Sequence, residues 1–434
     1  MMNKCIKVAI KHCDELDMKL LDKILKDISY KTWKACNRAM TYFYTFTMKS
    51  MIYKDTTGKN IDEKKTFGKT HGAWIENQMN EIMNICNSRN VAQTRQFVSK
   101  RFNDDKKKGL LKGDVAITNF KKNIAIIIHN KSFKVTQGNK GYEIECSLFN
   151  SKYQKKNNIA KLTLLADRID NSKKATLNKL ATGIYKQCAS KITQDKKGKW
   201  YFHICFSFEP NKKELDSNRI LGVDLGIINV ATMQIFDSNL GIWDKLSWNE
   251  CILDGRELIH YRQKIEQRYH DLFRSSKIAG NGRTGHGRLT RIQPANRYRN
   301  KISNFRNTLN HKYSRYIVDF TVKHNCGIIQ MEDLKGFNPE NKFLKQWAYY
   351  DLQQKIQYKA EEKGIIVMYK KPFKTSQRCS ICGCINEENR DCKNNQSKFK
   401  CVVCGYEENA DINAAKNLSI PNIEDLIEEQ LKAK

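Results

Sequence analysis

From Met18 to Tyr53 the core-type positions recur at intervals of three and four, at Leu21, Leu25, Ile28, Thr32, Ala35, Ala39, Phe43 and Phe46. That spacing predicts one long amphipathic helix, because residues three and four apart share a helix face. A polar break, YKDTTGKNIDEKK, follows, and the helical period returns from about His71 to Ile85 and, beyond NSRN, from Val91 to Phe102. These segments predict a helical lobe. Between about Leu110 and Phe208 the texture changes to short β-rich runs at Ile124 to Ile128, SFKV, YEIECSL, AKLTLL and KWYFHICFSF, parted by Gly, Asn and Lys clusters. Strands so spaced predict a barrel or sandwich, and Lys4 to Ile10 reads as a further strand available to join it.

Past the polar connector EPNKKELDSNR, the run RILGVDLGIINVATMQIF predicts a strand that turns at Gly226 and returns. Asn296 to Lys323 predicts a long helix with Ile302, Phe305, Leu309, Tyr313, Ile317 and Phe320 on one face; CGIIQME predicts a strand, Trp347 to Lys363 a helix, and IIVMY another strand. With a short closing helix, this is an α/β pattern with the element order of an RNase H-like fold. The whole chain therefore reads as multidomain α+β.

Charge narrows the partners. Lys and Arg outnumber Asp and Glu by 78 to 46 in a chain of 434 residues, giving a net charge of +32. Self-repulsion on that scale calls for a polyanion, and nucleic acid is the first choice. No stretch approaches the roughly 18 apolar residues of a membrane span, and the N-terminus lacks a secretory apolar region, so a soluble, unsecreted chain is expected. The 15 cysteines are odd in number, and most stand singly in helical or strand-like runs (Cys36, Cys86, Cys188, Cys205), which fits a reducing cytosol better than a disulfide framework.

Three acids end or open apolar runs far apart in the chain: Asp224 in ILGVDLG, Glu332 in GIIQMEDL and Asp411 in NADINAAKNL. An unpaired carboxylate in a buried strand costs several kcal/mol, so acids in such runs are usually paired or metallated. The expected partner is Mg²⁺; two such ions about 3.5–4 Å apart activate a water and stabilise a leaving oxygen in phosphodiester cleavage. Gly222 and Gly226 flank Asp224 and let chain or substrate approach it closely. Asp333 and Asp237 read as structural neighbours.

Cys379-x-x-Cys382-Gly and Cys401-x-x-Cys404-Gly are separated by 18 residues, within the interval for a four-thiolate zinc ribbon. Such a zinc is structural, since four thiolates leave no open position. Cys384 and Cys392 read as spare thiols, with Cys384 a competing ligand. Lys371, Lys374, Arg378, Lys393, Lys398 and Lys400 make the ribbon basic and suited to nucleic acid, and Arg378 is expected to contact a phosphate beside the acids. Residues 280–291, GNGRTGHGRLTR, place Arg283, Arg288 and Arg291 in a glycine-rich loop that either follows a phosphate backbone or is a solvated linker. In FLKQWAYYDLQQK, Trp347 and Tyr350 are expected in the core while Tyr349 stays open to base stacking, and Trp33 and Trp74 could serve either role.

VDLG, QMEDL, the double CxxC and NADxNAAxN, in this order, resemble the RuvC motifs of transposon-encoded TnpB proteins and of CRISPR type V effectors. HKYSRYIVD, YYDLQQKI, YKAEE, TSQRCS and CGYEENADINAAKN more narrowly resemble the miniature type V-F effectors, strongly from about Arg219 onward. The resemblance implies a cytoplasmic prokaryotic RNA-guided DNA endonuclease of antiviral defence. It carries catalysis and Mg²⁺ onto Asp224, Glu332 and Asp411, and zinc onto Cys379, Cys382, Cys401 and Cys404. It also implies a domain order: a first wedge strand at 1–17, a helical recognition lobe at 18–109, a β-barrel wedge domain at 110–210, a RuvC-like nuclease domain at 211–370 and 409–434, and a zinc ribbon at 371–408. Guide RNA, target duplex with a flanking motif, and a second copy on the same guide are the implied partners. A transposon-guided TnpB nuclease and a non-cutting RNA-guided binder are the competing readings.

Overall fold

The computed structural model describes residues 1–195, 197–278, 288–334, 349–371, 374–390 and 395–432, except for the side chains of 276–278, 288–291 and 296–300. The chain divides into two compact units, Met1–Glu209 and Pro210–Lys434.

The first unit begins with β1 (Met2–Cys13) and four helices, α1 (Met18–Thr57), α2 (Glu63–Phe67), α3 (His71–Ile82) and α4 (Ser88–Lys107). It continues through β2 (Ile126–Ile128), β3 (Phe133–Gly138), β4 (Gly141–Cys146), α5 (Ser151–Asn157), β5 (Leu162–Asp167), α6 (Asn171–Ala181), β6 (Lys186–Gln187), β7 (Ser190–Gln194) and β8 (Trp200–Phe208). Helix α1 takes the expected period: Leu21, Leu25, Ile28, Thr32, Ala35 and Ala39 are buried along one face. Asp17 caps its start and Gly58, at φ 69°, ends it in the left-handed conformation a side chain would strain. The strands form one antiparallel sheet in the order β2-β7-β8-β1-β5-β4-β3, with β6 also pairing β8. Strand β1 is thus central, not peripheral. The far edge, β3, is tied toward β6 by a side chain: Val135 N donates to Gln187 Oε1 and Gln187 Nε2 donates to Phe133 O. The amide of Gln187 stands in for a peptide group where the ladder stops. Trp33 donates its indole N–H to Phe120 O at 2.7 Å, and Trp74 packs among Tyr42, Phe67 and His71, so both aromatics serve the packing of their unit.

The second unit contains β9 (Asp216–Asp224), β10 (Asn229–Asp237), β11 (Ile242–Trp243), α7 (Trp248–Cys251), β12 (Ile252–Asp254), α8 (Arg256–Ile278) and α9 (Arg288–Lys323). Then come β13 (Cys326–Glu332), α10 (Tyr349–Lys363), β14 (Ile366–Lys370), β15 (Lys398–Lys400), β16 (Glu407–Asn409), α11 (Ala410–Ser419) and α12 (Ile423–Lys432). The main sheet runs β11-β10-β9-β13-β14, with β12 on β10. The β9–β10 pair is an antiparallel hairpin, whereas β13 lies parallel to both β9 and β14. Leu221, Val223, Met233, Ile329 and Met331 from the sheet meet Ile317, Leu352 and Ile356 from the helices in one core. Helix α8 is absent from the sequence reading: its charged residues leave only a narrow apolar stripe, and it is held by α9, where Tyr261 stacks on Phe305 with ring centroids 3.9 Å apart.

Candidate functional site

Strands β9 and β13 run parallel in a register that sets Val223 opposite Met331, so Asp224 and Glu332 follow as the terminal residues of neighbouring strands. Strands in a ladder are about 4.8 Å apart, and side chains at equivalent positions share a face. The third acid arrives on a helix. A Cβ on Gly222 would lie 2.2 Å from Ala415 O and 2.5 Å from Ser419 N, so the bare backbone of β9 is what lets α11 lie directly on the strand. The flanking glycine therefore admits chain. Asp411 stands in the first turn of α11, whose N-terminus Asn409 caps by accepting from Asp411 N at 2.9 Å.

The electrostatics register this convergence. Burial pushes the Asp224 carboxyl well above the ordinary carboxylate range, and the negative charges of Glu332 and Asp411 push it further the same way. Burial also raises Glu332, partly countered by a hydrogen bond from Thr375 Oγ1 to its Oε1 at 2.6 Å. Arg390 opposes the shift at both acids. This residue, between the two cysteine knuckles, escaped the sequence reading; its one signal was a position in a basic ribbon that folds back on the acids. Its Nε is buried with no hydrogen-bond partner. Asn229 was also missed, and its Nδ2 donates to Asp411 Oδ2 at 2.8 Å. Burial and the Asp224 charge together raise the Tyr349 hydroxyl.

Divalent ions suit this donor set. A buried acid whose proton affinity is raised by two neighbouring carboxylates, as Asp224's is by Glu332 and Asp411, is relieved by a cation, and hard carboxylate oxygens are Mg²⁺ ligands. Among the described residues, only the four ribbon cysteines bring their ligand atoms all within 4.8 Å of one another, so the carboxylates are set wider than a single tight cluster.

In the ribbon, Cys379 Sγ lies 3.7 Å from Cys404 Sγ, and Cys382 Sγ lies 3.5 Å from Cys401 Sγ. Tetrahedral Zn²⁺ with bonds of about 2.3 Å requires sulfurs about 3.8 Å apart, so the residues fit that ion. Gly383 and Gly405, at φ 78° and 73°, make the turns that fold each knuckle. Cys384 stands outside the four-sulfur group, and Cys392 lies outside the described residues.

The ribbon is fastened to α11 by asparagines. Asn413 Nδ2 donates to Arg378 O and its Oδ1 accepts from Ser380 N, while Asn417 Nδ2 donates to Thr375 O and Arg378 O. In NADINAAKN, then, Asn409 caps, Asp411 supplies the acid, and Asn413 and Asn417 dock the four-cysteine ribbon. Arg378 corrects the expectation of a phosphate contact: it is 7% exposed and Nη1 donates to Asn417 Oδ1 at 2.8 Å, because the ribbon's docking encloses it. Arg283 lies outside the described residues, as do the side chains of Arg288 and Arg291. Trp347 is likewise outside, and Tyr350 reverses its expectation by being 54% exposed. It stands two residues before buried Leu352, on the opposite side of α10, whereas Tyr349 shares the Leu352 face. Asp237 accepts from Arg219 at the far end of β10, and Asp333 N donates to Lys370 O.

A family model described as the Cas12f1-like TNB domain matches residues 349–418. The chain is 38% identical to the CRISPR-associated endodeoxyribonuclease Cas12f1 of Sulfoacidibacillus thermotolerans, over 96% of this chain and 97% of that one. It is 34% identical to the Cas12f1 endodeoxyribonuclease of Syntrophomonas palmitatica, over 70% and 67% respectively. Its fold is similar to the protein in a cryo-EM structure of a Cas12f1–sgRNA–target DNA complex, with a TM-score of 0.71, 18% identity, and 97% and 99% of the two chains covered.

Proposed function

The chain belongs to the Cas12f1 family of CRISPR-associated, RNA-guided DNA endonucleases related to TnpB proteins, and we propose that it cuts at one RuvC-type centre built from Asp224, Glu332 and Asp411. The observation that supports this reading most is the convergence itself: two acids ending adjacent parallel strands, and a third delivered by a helix seated on Gly222, with Asp224 feeling the other two.

In this reading each side chain has a task. Asp224, Glu332 and Asp411 hold divalent ions. When bound, those ions supply a water of lowered pKa and neutralise charge on the leaving oxygen during in-line displacement. Asn229 orients Asp411, and Thr375 occupies Glu332 Oε1. The Arg390 guanidinium faces the scissile phosphate, where a fixed positive charge is worth most in a water-poor site. Both target strands pass through this centre in turn. The ribbon holds one structural Zn²⁺ on Cys379, Cys382, Cys401 and Cys404 and presents its basic surface to the strand being cut.

The domain roles are proposed with it. Residues 18–109 act as the recognition lobe, 1–17 and 110–210 as the wedge, 211–370 and 409–434 as the RuvC-like nuclease, and 371–408 as the ribbon. Base pairing with the guide reads the target, and protein contacts read a short flanking motif. Arg283, Arg288 and Arg291 contact nucleic acid, and two copies assemble on one guide RNA.

The test is Asp224→Ala in protein assembled with guide RNA and target duplex. Cleavage should vanish while RNA binding and target binding persist. Cleavage at the normal rate by the purified variant would reject the assignment.

A further inference from the structure

Cys5 and Cys205 are directly opposite in the antiparallel register of β1 and β8, between the pairs Lys4–Phe206 and Ile6–Ile204. The Cys205 carbonyl accepts from Cys188 N at 2.9 Å, and its N–H donates to Ser190 Oγ at 2.9 Å. Both main-chain groups therefore point away from β1, and Cys5–Cys205 is a non-hydrogen-bonded pair. At such positions Cα atoms lie about 4.5 Å apart and side chains come closest. That falls within the roughly 4.4–6.8 Å a disulfide spans.

Both sulfurs lie on the sheet face away from the core. Ile204 and Phe206 are buried on the inner face, while Cys5 is exposed and Cys205 half-exposed. Each thiol shifts the other's proton affinity, and the Lys191 ammonium acts on both. Cys13, Cys36, Cys86, Cys146, Cys251 and Cys326 are instead buried.

We propose that Cys5 and Cys205 are a redox modification site, a surface dithiol that a low-molecular-weight disulfide such as glutathione disulfide converts into a reversible cross-strand disulfide. The neighbouring Cys5 thiol and the charge of Lys191 bring Cys205 down to about 7 against the opposing effect of burial, making it the attacking sulfur. Its thiolate attacks one sulfur of glutathione disulfide, forming a mixed disulfide and releasing a glutathione thiolate that takes a proton from water. Cys5 then loses its proton to solvent and attacks Cys205 Sγ, displacing the second glutathione thiolate. Two protein thiols have become one disulfide, and the oxidant has become two thiols.

The bond would join the first and last strands of the unit Met1–Glu209, closing most of that unit into a covalent loop. Such a loop restricts the unfolded chain and raises the temperature at which the unit unfolds.

The full-length, zinc-loaded protein should be treated with glutathione disulfide, alkylated in the native state, digested without reductant and analysed by mass spectrometry. The expected result is a Cys5–Cys205 peptide pair two hydrogens lighter than its reduced parts, lost on dithiothreitol treatment and retained in Cys188→Ser. Oxidation should raise the unfolding midpoint of the wild type but not of Cys5→Ser. Separate glutathione adducts on Cys5 and Cys205, both thiols remaining alkylatable, or linkage of either to Cys188 would each overturn the proposal.

Discussion

Asn229 Nδ2 donates to Asp411 Oδ2 at 2.8 Å, joining the first residue of β10 to the first turn of α11 across 182 positions of chain. The bond turns one carboxylate oxygen and leaves the other free. Partners of this kind fix the direction of a metal-binding group, and removing one typically costs about 10- to 100-fold in metal affinity or activity. Asn229→Ala should therefore slow cleavage by about that factor while target binding is unchanged. Single-turnover cleavage against Mg²⁺ concentration is the measurement, and an unchanged rate and Mg²⁺ dependence would remove Asn229 from the site.

Gly222→Ala tests how the third acid is delivered. Its methyl would meet backbone atoms of α11 at 2.2 and 2.5 Å, which cannot rotate away as a flexible side chain could. Strain of about 1–3 kcal/mol is expected, with α11 displaced from β9. Thermal unfolding should fall and cleavage should fall with it, more than in Gly405→Ala, where a methyl meets nothing within 4 Å and only the backbone conformation suffers.

Arg390→Ala should reduce the cleavage rate with little effect on stability, since its Nε has no hydrogen-bond partner to lose. Arg390→Lys should rescue only part of the rate, because a point charge does not reproduce the planar guanidinium. Equal rates for wild type and Arg390→Ala would count against the phosphate role.

Zinc removal should act at a distance. The ribbon's small core has Phe399 wholly buried beside Cys379 and Cys401, and Asn413 and Asn417 fasten that module to the helix bearing Asp411. Metal analysis should find one Zn²⁺ per chain. Cys401→Ser should lose it, and cleavage should drop although Asp224, Glu332 and Asp411 are intact.

His203 gives the first unit an acid sensitivity. Burial, with Lys191 and Lys7 nearby, lowers its pKa from 6.5 to about 4, and its Nε2 lies 2.8 Å from Thr193 Oγ1. The folded state thus binds its proton less tightly than the unfolded state does. Its contribution is complete above pH 6.5 and is lost as pH falls from there toward 4. His203→Gln should flatten the stability–pH curve in that window, as read by denaturant unfolding of the two proteins.

Hydrophobic spacing determined much of this protein without help. The face of α1, the strand ending at Glu332 and the hairpin turning near Gly226 follow from local periods of 3.6 and 2, which depend on neighbours in the chain. Cysteine spacing determined the ribbon for the same reason, since each knuckle closes within a few residues. Helix α8 was lost because its stripe is narrow and its stability comes from α9. Gly222 signalled a close approach in the sequence, but which element is seated there, and the roles of Asn229, Thr375 and Arg390, were decided by tertiary structure alone: each acts on a group tens to hundreds of positions away, and a partner across a fold leaves no period in the sequence. Arg378 and Tyr350 make the converse point, because charge and aromaticity name what a side chain can do, while packing decides whether it faces a phosphate, an asparagine or water.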